Sequence, residues 1–348
     1  MKLVIDDKIP YIRGEAEKLG ACTYLPGKDI THADVEDADV LIVRTRTRVD
    51  RALLEGTKVQ AVITATIGFD HIDTEYLDES GIFWTNCPGC NAASVGQYVR
   101  CCLLRLDGAL DFGNITLGIV GVGHVGTAVL QNMLEAKLFS RILLSDPPRE
   151  ERGEKALPAD GVEGFVSLDE IAQNCDVITF HTPLTTSGAH PTFHLADRAF
   201  FEACRRKPLI INAARGGVVD EGALLAAMNE GRAAGAIIDT WENEPRVNAE
   251  LLRRAVFATP HIAGYSADGK ANATRMALQA AARHLGRDDV HFNVNAPQAP
   301  AYYTYNPYPD RVDPDLLRYD PKVDSTALKR FPSLFEQIRG NYPLRREK

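Results

Sequence analysis

The sequence predicts an α/β protein made of two doubly wound parallel-sheet domains with a short C-terminal extension. Apolar runs of strand length recur along the chain with polar, helix-compatible segments between them. The runs are continuously hydrophobic rather than alternating, which marks strands covered on both faces. The pattern also restarts after a long helix candidate near residues 91–107, so two sets of layers are expected, not one.

In the first set LVI (3–5), VLIV (40–43), VQAVIT (59–64) and IFW (82–84) read as strands. Segments near 10–19, 50–55 and 73–80 read as the intervening helices. In the second set ITLGIVGV (115–122), RILLSD (141–146), DVITF (176–180), PLIIN (208–212), AAGAIID (233–239) and VFATP (256–260) are the strands. A last helix is expected over about 267–286. Residues 296–321 then hold six of the 19 prolines and five of the 11 tyrosines, so they read as an extended arm or packed linker rather than a regular helix. The final residues are basic, with Lys329, Arg330, Arg339, Arg345, Arg346 and Lys348 against Glu336 and Glu347. Apolar Phe331, Leu334, Phe335 and Ile338 alternate with them, which suggests an oligomerisation or docking segment. The expected division is residues 1–93 with 266–286 as a substrate domain, 94–265 as a nucleotide domain, and 287–348 as a C-terminal arm used in dimerisation.

Composition narrows the function. The 348 residues are 45% hydrophobic and 25% charged, which excludes disordered and fibrous classes. Lys and Arg number 39 against 47 Asp and Glu, a net charge of −8 that gives no attraction to nucleic acid. No apolar run approaches the ~20 residues of a membrane span. The opening MKLVIDD carries charge where a signal peptide is apolar, so a cytoplasmic location is expected. Cys87 and Cys90 have Cys-x-x-Cys spacing, but no second pair completes a structural metal site, and the seven cysteines read as free thiols with no metal expected.

Gly121-Val-Gly123-His-Val-Gly126 follows a strand and opens a helix, the context a dinucleotide fingerprint requires. Gly121 allows the tight turn, Gly123 the approach of a pyrophosphate, and Gly126 the packing of helix on strand. Asp146 ends the next strand about 20 residues on, where a carboxylate accepts from both ribose hydroxyls and repels a 2′-phosphate, selecting NAD.

Arg215, Glu244 and His261 each lie just beyond a strand of the same sheet, the end at which such sheets bind ligands. Together they suit oxidation of a 2-hydroxy acid. His261 takes the hydroxyl proton, Glu244 holds the other ring nitrogen, and Arg215 binds the carboxylate. His181 in TFHTPL is a rival base on an earlier strand end, read as shaping the cofactor pocket.

The runs GIVGVGHVG, DVITFHTPLT, LIINAARGGVVDEGAL, GAIIDTWENEP and TPHIAG resemble the D-isomer-specific 2-hydroxyacid dehydrogenase family over about residues 1–285. LVIDDKIPY, ITATIGFDHID, NCPGCNAASVGQYV, FHLAD, HIAGYSADGKANAT and NYPLRRE resemble a branch acting on a phosphorylated four-carbon hydroxy acid in pyridoxal phosphate synthesis. The resemblance implies a Rossmann NAD-binding domain, a flavodoxin-like substrate domain and a homodimer. It implies catalysis by Arg215, Glu244 and His261, and substrate contacts from Thr45, Thr66 and Tyr265. It places His124, Val125, Asp146, Thr182, Ala213, Ala214, Arg215, Asp239 and Gly264 on NAD beside Gly121, Gly123 and Gly126. Position 45 is often Ser in the family and position 124 often Asn. Other members of the family, acting on 3-phosphoglycerate or glyoxylate, and an NAD-sensing scaffold are the alternatives. Arg44, Arg46 and Arg48 alternate, so in an extended strand they would share one side and offer a phosphate site.

Overall fold

The computed structural model describes residues 1–156, 159–297 and 313–347. They form two compact units, one of residues 1–91, 266–297, 346 and 347, the other of the described residues between 92 and 265 and between 313 and 345.

The first unit holds five parallel strands: β1 (Lys2–Asp6), β2 (Ala21–Leu25), β3 (Val40–Val43), β4 (Ala61–Thr64) and β5 (Phe83–Thr85). Their order is β2-β1-β3-β4-β5, the flavodoxin-like winding. Val40, Leu41, Ile42 and Val43 are all fully buried, because both faces of this central strand are covered. One face packs under the helix Ala267–His284, whose Ala271, Ala273, Ala277 and Ala281 meet Leu3, Ile5, Ile42 and Ile63. Cys87 and Cys90 belong to this core, and the Cys87 thiol donates to the Ala273 carbonyl at 3.3 Å. Burial pushes the Cys90 thiol up to about 11, so at neutral pH it behaves as a small apolar group.

The second unit holds β6 (Thr116–Val120), β7 (Arg141–Ser145), β8 (Val162–Phe165), β9 (Val177–Phe180), β10 (Leu209–Asn212), β11 (Gly235–Ile238) and β12 (Phe257–Ala258). All pairings are parallel and the order is β12-β11-β10-β9-β6-β7-β8. The winding reverses between β6 and β9, which is where an open α/β sheet binds its ligand. The fold class is therefore the one the sequence predicts: two doubly wound parallel sheets, the second of Rossmann type.

Several local expectations need correction. β2 and β8 were not expected as strands; they are edge strands with half-exposed residues, so neither reads as a continuous apolar run. The expected helix at 10–19 is a series of turns with a three-residue 3₁₀ segment, Ala16–Lys18, after Pro10 and Gly14. Residues 298–312, most of the Tyr/Pro-rich run, lie outside the described residues. Beyond them the chain is helical over Pro314–Arg318, Pro321–Arg330 and Phe335–Gly340. Two of the six prolines, Pro314 and Pro321, stand at first helical positions, where the missing N–H has no intrahelical partner to lose. Leu316 and Tyr319 join the core on one face of the second sheet, and Leu328 and Phe335 the core on the other.

The glycine loop shows each glycine's constraint. Gly121 has φ +84°, and a Cβ there would meet the Thr182 backbone nitrogen at 2.9 Å. At Gly126 a Cβ would lie 2.0 Å from the Gly121 carbonyl, whereas at Gly123 nothing lies within 4 Å. Gly126→Ala is expected to lower the unfolding free energy by ~1–3 kcal/mol through overpacking, and Gly123→Ala to leave it within ~0.5 kcal/mol. Urea melts of the two variants check the contrast.

Candidate active site

The strand ends of the second sheet deliver the residues in sequence. β6 runs into Gly121, and the helix His124–Ala136 starts with Gly123 as its N-cap, exposing His124 and half-exposing Val125 in its first turn. The Asp146 carboxylate at the end of β7 accepts from the Val122 N–H at 2.7 Å and caps a short helix by accepting from the Arg149 N–H at 3.1 Å. It therefore stands directly against the glycine loop.

β9 ends at His181 and Thr182. The His181 ring is buried, one nitrogen bonded to the Thr179 hydroxyl at 2.8 Å, and burial pushes its pKa down to about 3. It is neutral at pH 7 and too weak a base to take a hydroxyl proton, which removes it as the rival to His261. Among the described residues the Thr182 hydroxyl oxygen, buried next to Gly121, has no hydrogen-bond partner. A buried hydroxyl left unbonded costs ~1–3 kcal/mol. Together with the open space over Gly123 and the N–H groups of a helix start, it fits a dinucleotide's phosphates and ribose.

β10 leads to Ala213, Ala214 and Arg215. The Asn212 side chain holds this turn, accepting from the Ala214 N–H at 3.2 Å and donating to the Arg215 carbonyl at 3.0 Å. Arg215 donates from Nη1 to the Ala214 carbonyl at 2.8 Å. The next residue must be glycine, because a Cβ on Gly216 would sit 1.9 Å from the Trp241 carbonyl. The Arg215 turn is thus pressed against the segment leading to Glu244.

Glu244 and His261 are in direct contact. The His261 Nδ1 lies 2.9 Å from each Glu244 carboxylate oxygen, and Glu244 Oε1 also accepts from the Trp241 N–H at 3.0 Å. Burial alone would raise the Glu244 pKa, but the His261 hydrogen bond and charge, with Arg339 beyond, outweigh it and hold the carboxyl below its ordinary value. An ionised carboxylate only accepts, so Nδ1 carries the proton and donates, and Nε2 is the ring's basic nitrogen.

His261 has φ +57°, a left-handed conformation that strains a residue with a side chain. The neighbours that hold it start with Asp239 at the end of β11. Its carboxylate accepts from the Thr259 hydroxyl at 2.6 Å, the Ile262 N–H at 2.8 Å and the Ala263 N–H at 2.9 Å, and its carbonyl accepts from the His261 N–H at 2.8 Å. Burial raises the Asp239 pKa, and these partners oppose the rise. Gly264 and Tyr265 complete the turn, with the Tyr265 N–H donating to the Ile262 carbonyl at 2.8 Å.

In the first unit Thr66 pairs with the Thr64 hydroxyl at 2.7 Å and donates to the Gly68 carbonyl at 2.8 Å. Thr45 is exposed in a turn that begins as soon as β3 ends at Val43. That turn removes the premise of an extended Arg44, Arg46, Arg48 row. Arg44 makes two 3.1 Å hydrogen bonds to the buried Asp6 carboxylate, and exposed Arg48 pairs with Asp50 at 3.5 Å.

Sequence reasoning missed two residues of the C-terminal segment. Arg339 donates from Nε to the Tyr265 hydroxyl at 3.1 Å and lies 3.5 Å from Glu244 Oε2. Arg345 is fully buried behind the His261 turn. The NYPLRRE run contains Arg345 and Arg346, but nothing local links either arginine to a strand end. Among the described residues no group of His, Cys, Asp and Glu could hold a metal ion, and no helix is long and apolar enough to cross a membrane.

Residues 107–263 match the family described as D-isomer specific 2-hydroxyacid dehydrogenase, NAD binding domain. An erythronate-4-phosphate dehydrogenase of Bacteroides fragilis is 48% identical over 354 residues, spanning 100% of this chain and 97% of the relative. One from Bacteroides thetaiotaomicron is 49% identical, with the same coverage of both chains, and one from Escherichia coli is 40% identical, spanning 100% of this chain and 92% of the relative. Two solved structures share the fold. A D-lactate dehydrogenase from Aquifex aeolicus, complexed with NAD and lactic acid, has a TM-score of 0.66 at 23% identity, covering 85% of this chain and 99% of that one. A glyoxylate reductase from Paecilomyes thermophila has a TM-score of 0.68 at 22% identity, covering 86% and 98%.

Beside the His261–Glu244 pair, Glu221 is buried and its carboxylate accepts from the Glu242 N–H at 2.9 Å. Burial first, then the charges of Glu242, Glu244 and Asp220, push its pKa up to about 7. Below its ordinary pKa the carboxyl is neutral in both folded and unfolded chains. As pH rises toward 7 the unfolded chain ionises first, so the native state loses stability. Glu221→Gln is therefore expected to gain melting temperature relative to the parent as pH is raised from about 5 to about 8. Thermal melts across that range check it, and a constant offset would contradict it.

Proposed function

The chain belongs to the erythronate-4-phosphate dehydrogenases, within the D-isomer-specific 2-hydroxyacid dehydrogenase family, and from that premise we infer how its own residues carry the reaction. It is an NAD-dependent dehydrogenase that oxidises 4-phospho-D-erythronate to (R)-3-hydroxy-2-oxo-4-phosphooxybutanoate, the step such an enzyme contributes to pyridoxal 5′-phosphate synthesis.

The observation that carries the reading is the His261–Glu244 pair, with the ring nitrogen 2.9 Å from both carboxylate oxygens. His261 Nε2 takes the proton of the C2 hydroxyl. Glu244 fixes the tautomer that leaves Nε2 basic and stabilises the imidazolium once it forms. Arg215 binds the substrate carboxylate and polarises the C2 oxygen as the carbonyl develops. Thr45, Thr66 and Tyr265 are the proposed substrate contacts. NAD, when bound, supplies the hydride acceptor. Its proposed holders are Gly121, Gly123, His124, Val125 and Gly126, with Asp146, Thr182, Ala213, Ala214, Arg215, Asp239 and Gly264. The phosphate-directed role of Arg44 is not supported, since its guanidinium is committed to Asp6.

A cytoplasmic homodimer completes the proposal. Its support is the exposure of Val323, Phe331 and Leu334 on the C-terminal helical segment, apolar side chains that a second copy would cover. Sedimentation velocity is expected to give twice the chain mass, and Phe331→Glu with Leu334→Glu to shift it toward one. A wild-type monomer would overturn the dimer.

Turnover of 4-phospho-D-erythronate is expected to exceed that of 3-phospho-D-glycerate and glyoxylate-type acids, each tested with NAD and with a 2-oxo acid to reoxidise the cofactor. His261→Ala is expected to cut kcat by at least ~10³-fold while NAD binding stays within about two-fold. Preference for the three-carbon acid would keep the chemistry and overturn the substrate. Turnover surviving in His261→Ala would overturn the base.

A further inference from the structure

We propose that Arg345 is a positioning residue for the proposed base: its guanidinium holds the turn 261–265 from the carbonyl side and so keeps His261 and Tyr265 aimed. The inference rests on the reading of His261 as the base and adds to it a residue far away in sequence.

The turn is gripped on two sides. Its N–H groups at Ile262 and Ala263 go to the Asp239 carboxylate. Its carbonyls go to Arg345. Nη1 donates to the Ile262 carbonyl at 3.1 Å and the Tyr265 carbonyl at 3.0 Å, and Nη2 to the Ala263 carbonyl at 2.6 Å. The guanidinium is fixed from behind. Nε donates to Gln97 Oε1 at 2.9 Å, Nη2 to the Ser94 hydroxyl at 3.1 Å, and Nη1 to the Tyr342 hydroxyl at 3.1 Å. Its flat face lies 4.1 Å from the centre of the Tyr319 ring. Ser94 also donates from its hydroxyl to the Ala263 carbonyl at 2.9 Å.

Stability alone does not explain this arginine. The side chain is 1% exposed, and among the described residues none of its hydrogen-bond partners is a carboxylate. The Asp324 carboxylate is bridged to it through the Tyr342 hydroxyl, and a buried cation whose own hydrogen bonds go to neutral groups is a poorer filler of the interior than an apolar side chain of the same size. What an apolar side chain lacks is a rigid fork that points three carbonyls of one turn in a fixed direction. His261 needs that constraint, because its backbone at φ +57° relaxes unless its neighbours over-determine it.

Arg345→Lys keeps the charge and loses the fork. It is expected to lower kcat by ~10- to 100-fold, with the Kd for NAD within about two-fold because Arg345 touches nothing in the glycine loop. Amide hydrogen exchange in the segment 261–265 is expected to speed up. Arg345→Ala is expected to lose more, with part of kcat restored by added ethylguanidinium, an effect a general loss of stability would not show. Arg346→Ala, which breaks the ion pair to Asp268 at 2.8 Å and a hydrogen bond to the Pro297 carbonyl at 3.1 Å, serves as control and keeps kcat within about two-fold. A folded Arg345→Lys with kcat like that control overturns the proposal. If neither Arg345 variant folds, Tyr342→Phe decides, since it removes one support of the guanidinium. A drop in kcat with unchanged NAD binding supports the role, and unchanged kcat overturns it. A wild-type enzyme inactive on every 2-hydroxy acid would instead strike the underlying reading, and the exchange comparison would still report on the turn.

Discussion

The Asp239 carboxylate is sealed from solvent at the end of β11, and the turn that carries His261 is built around it. Three donors reach it, two of them backbone N–H groups just beyond the histidine. Hydrogen bonds to a charged group contribute ~1.5–3 kcal/mol each, enough together to offset a strained φ of ~1–3 kcal/mol. The family resemblance implies a cofactor contact for Asp239. In the structure both of its carboxylate oxygens serve the protein's own turn, so its first task is to hold His261 where Glu244 can orient it.

The parallel sheet makes this arrangement reachable. Every strand of the second sheet points the same way, so β6, β9, β10, β11 and β12 all release their loops at one edge. The glycine loop, Thr182, Arg215, Asp239 and His261 follow those five strands in turn. The site then needs only local adjustments. Gly216 lets the Arg215 turn lie against Trp241, and burial keeps His181 neutral.

What was legible in the sequence was what obeys local periodicity or a fixed spacing. Central strands such as VLIV and LIIN are buried on both faces and announce themselves. The glycine fingerprint, Asp146 and the Arg, Glu and His beyond successive strands follow from strand-to-loop position. Edge strands β2 and β8 were hidden, because one exposed side erases the apolar run. The arginine row failed because β3 stops one residue before Arg44. Arg345 was beyond reach, because its contact with the Tyr265 carbonyl spans 80 residues of chain and depends on three terminal helices that fold back onto the second sheet. The basic tail looked like a surface for partners, yet one of its arginines is the interior of the molecule.

The proposed role of His261 depends on which of its ring nitrogens carries the proton. Long-range ¹⁵N–¹H correlation spectra of the imidazoles, with His261→Gln to assign the signal, read this directly. The neutral ring is expected with Nδ1 protonated toward Glu244 and Nε2 bare. A neutral His261 protonated on Nε2 would leave no base facing the substrate and would contradict the mechanism.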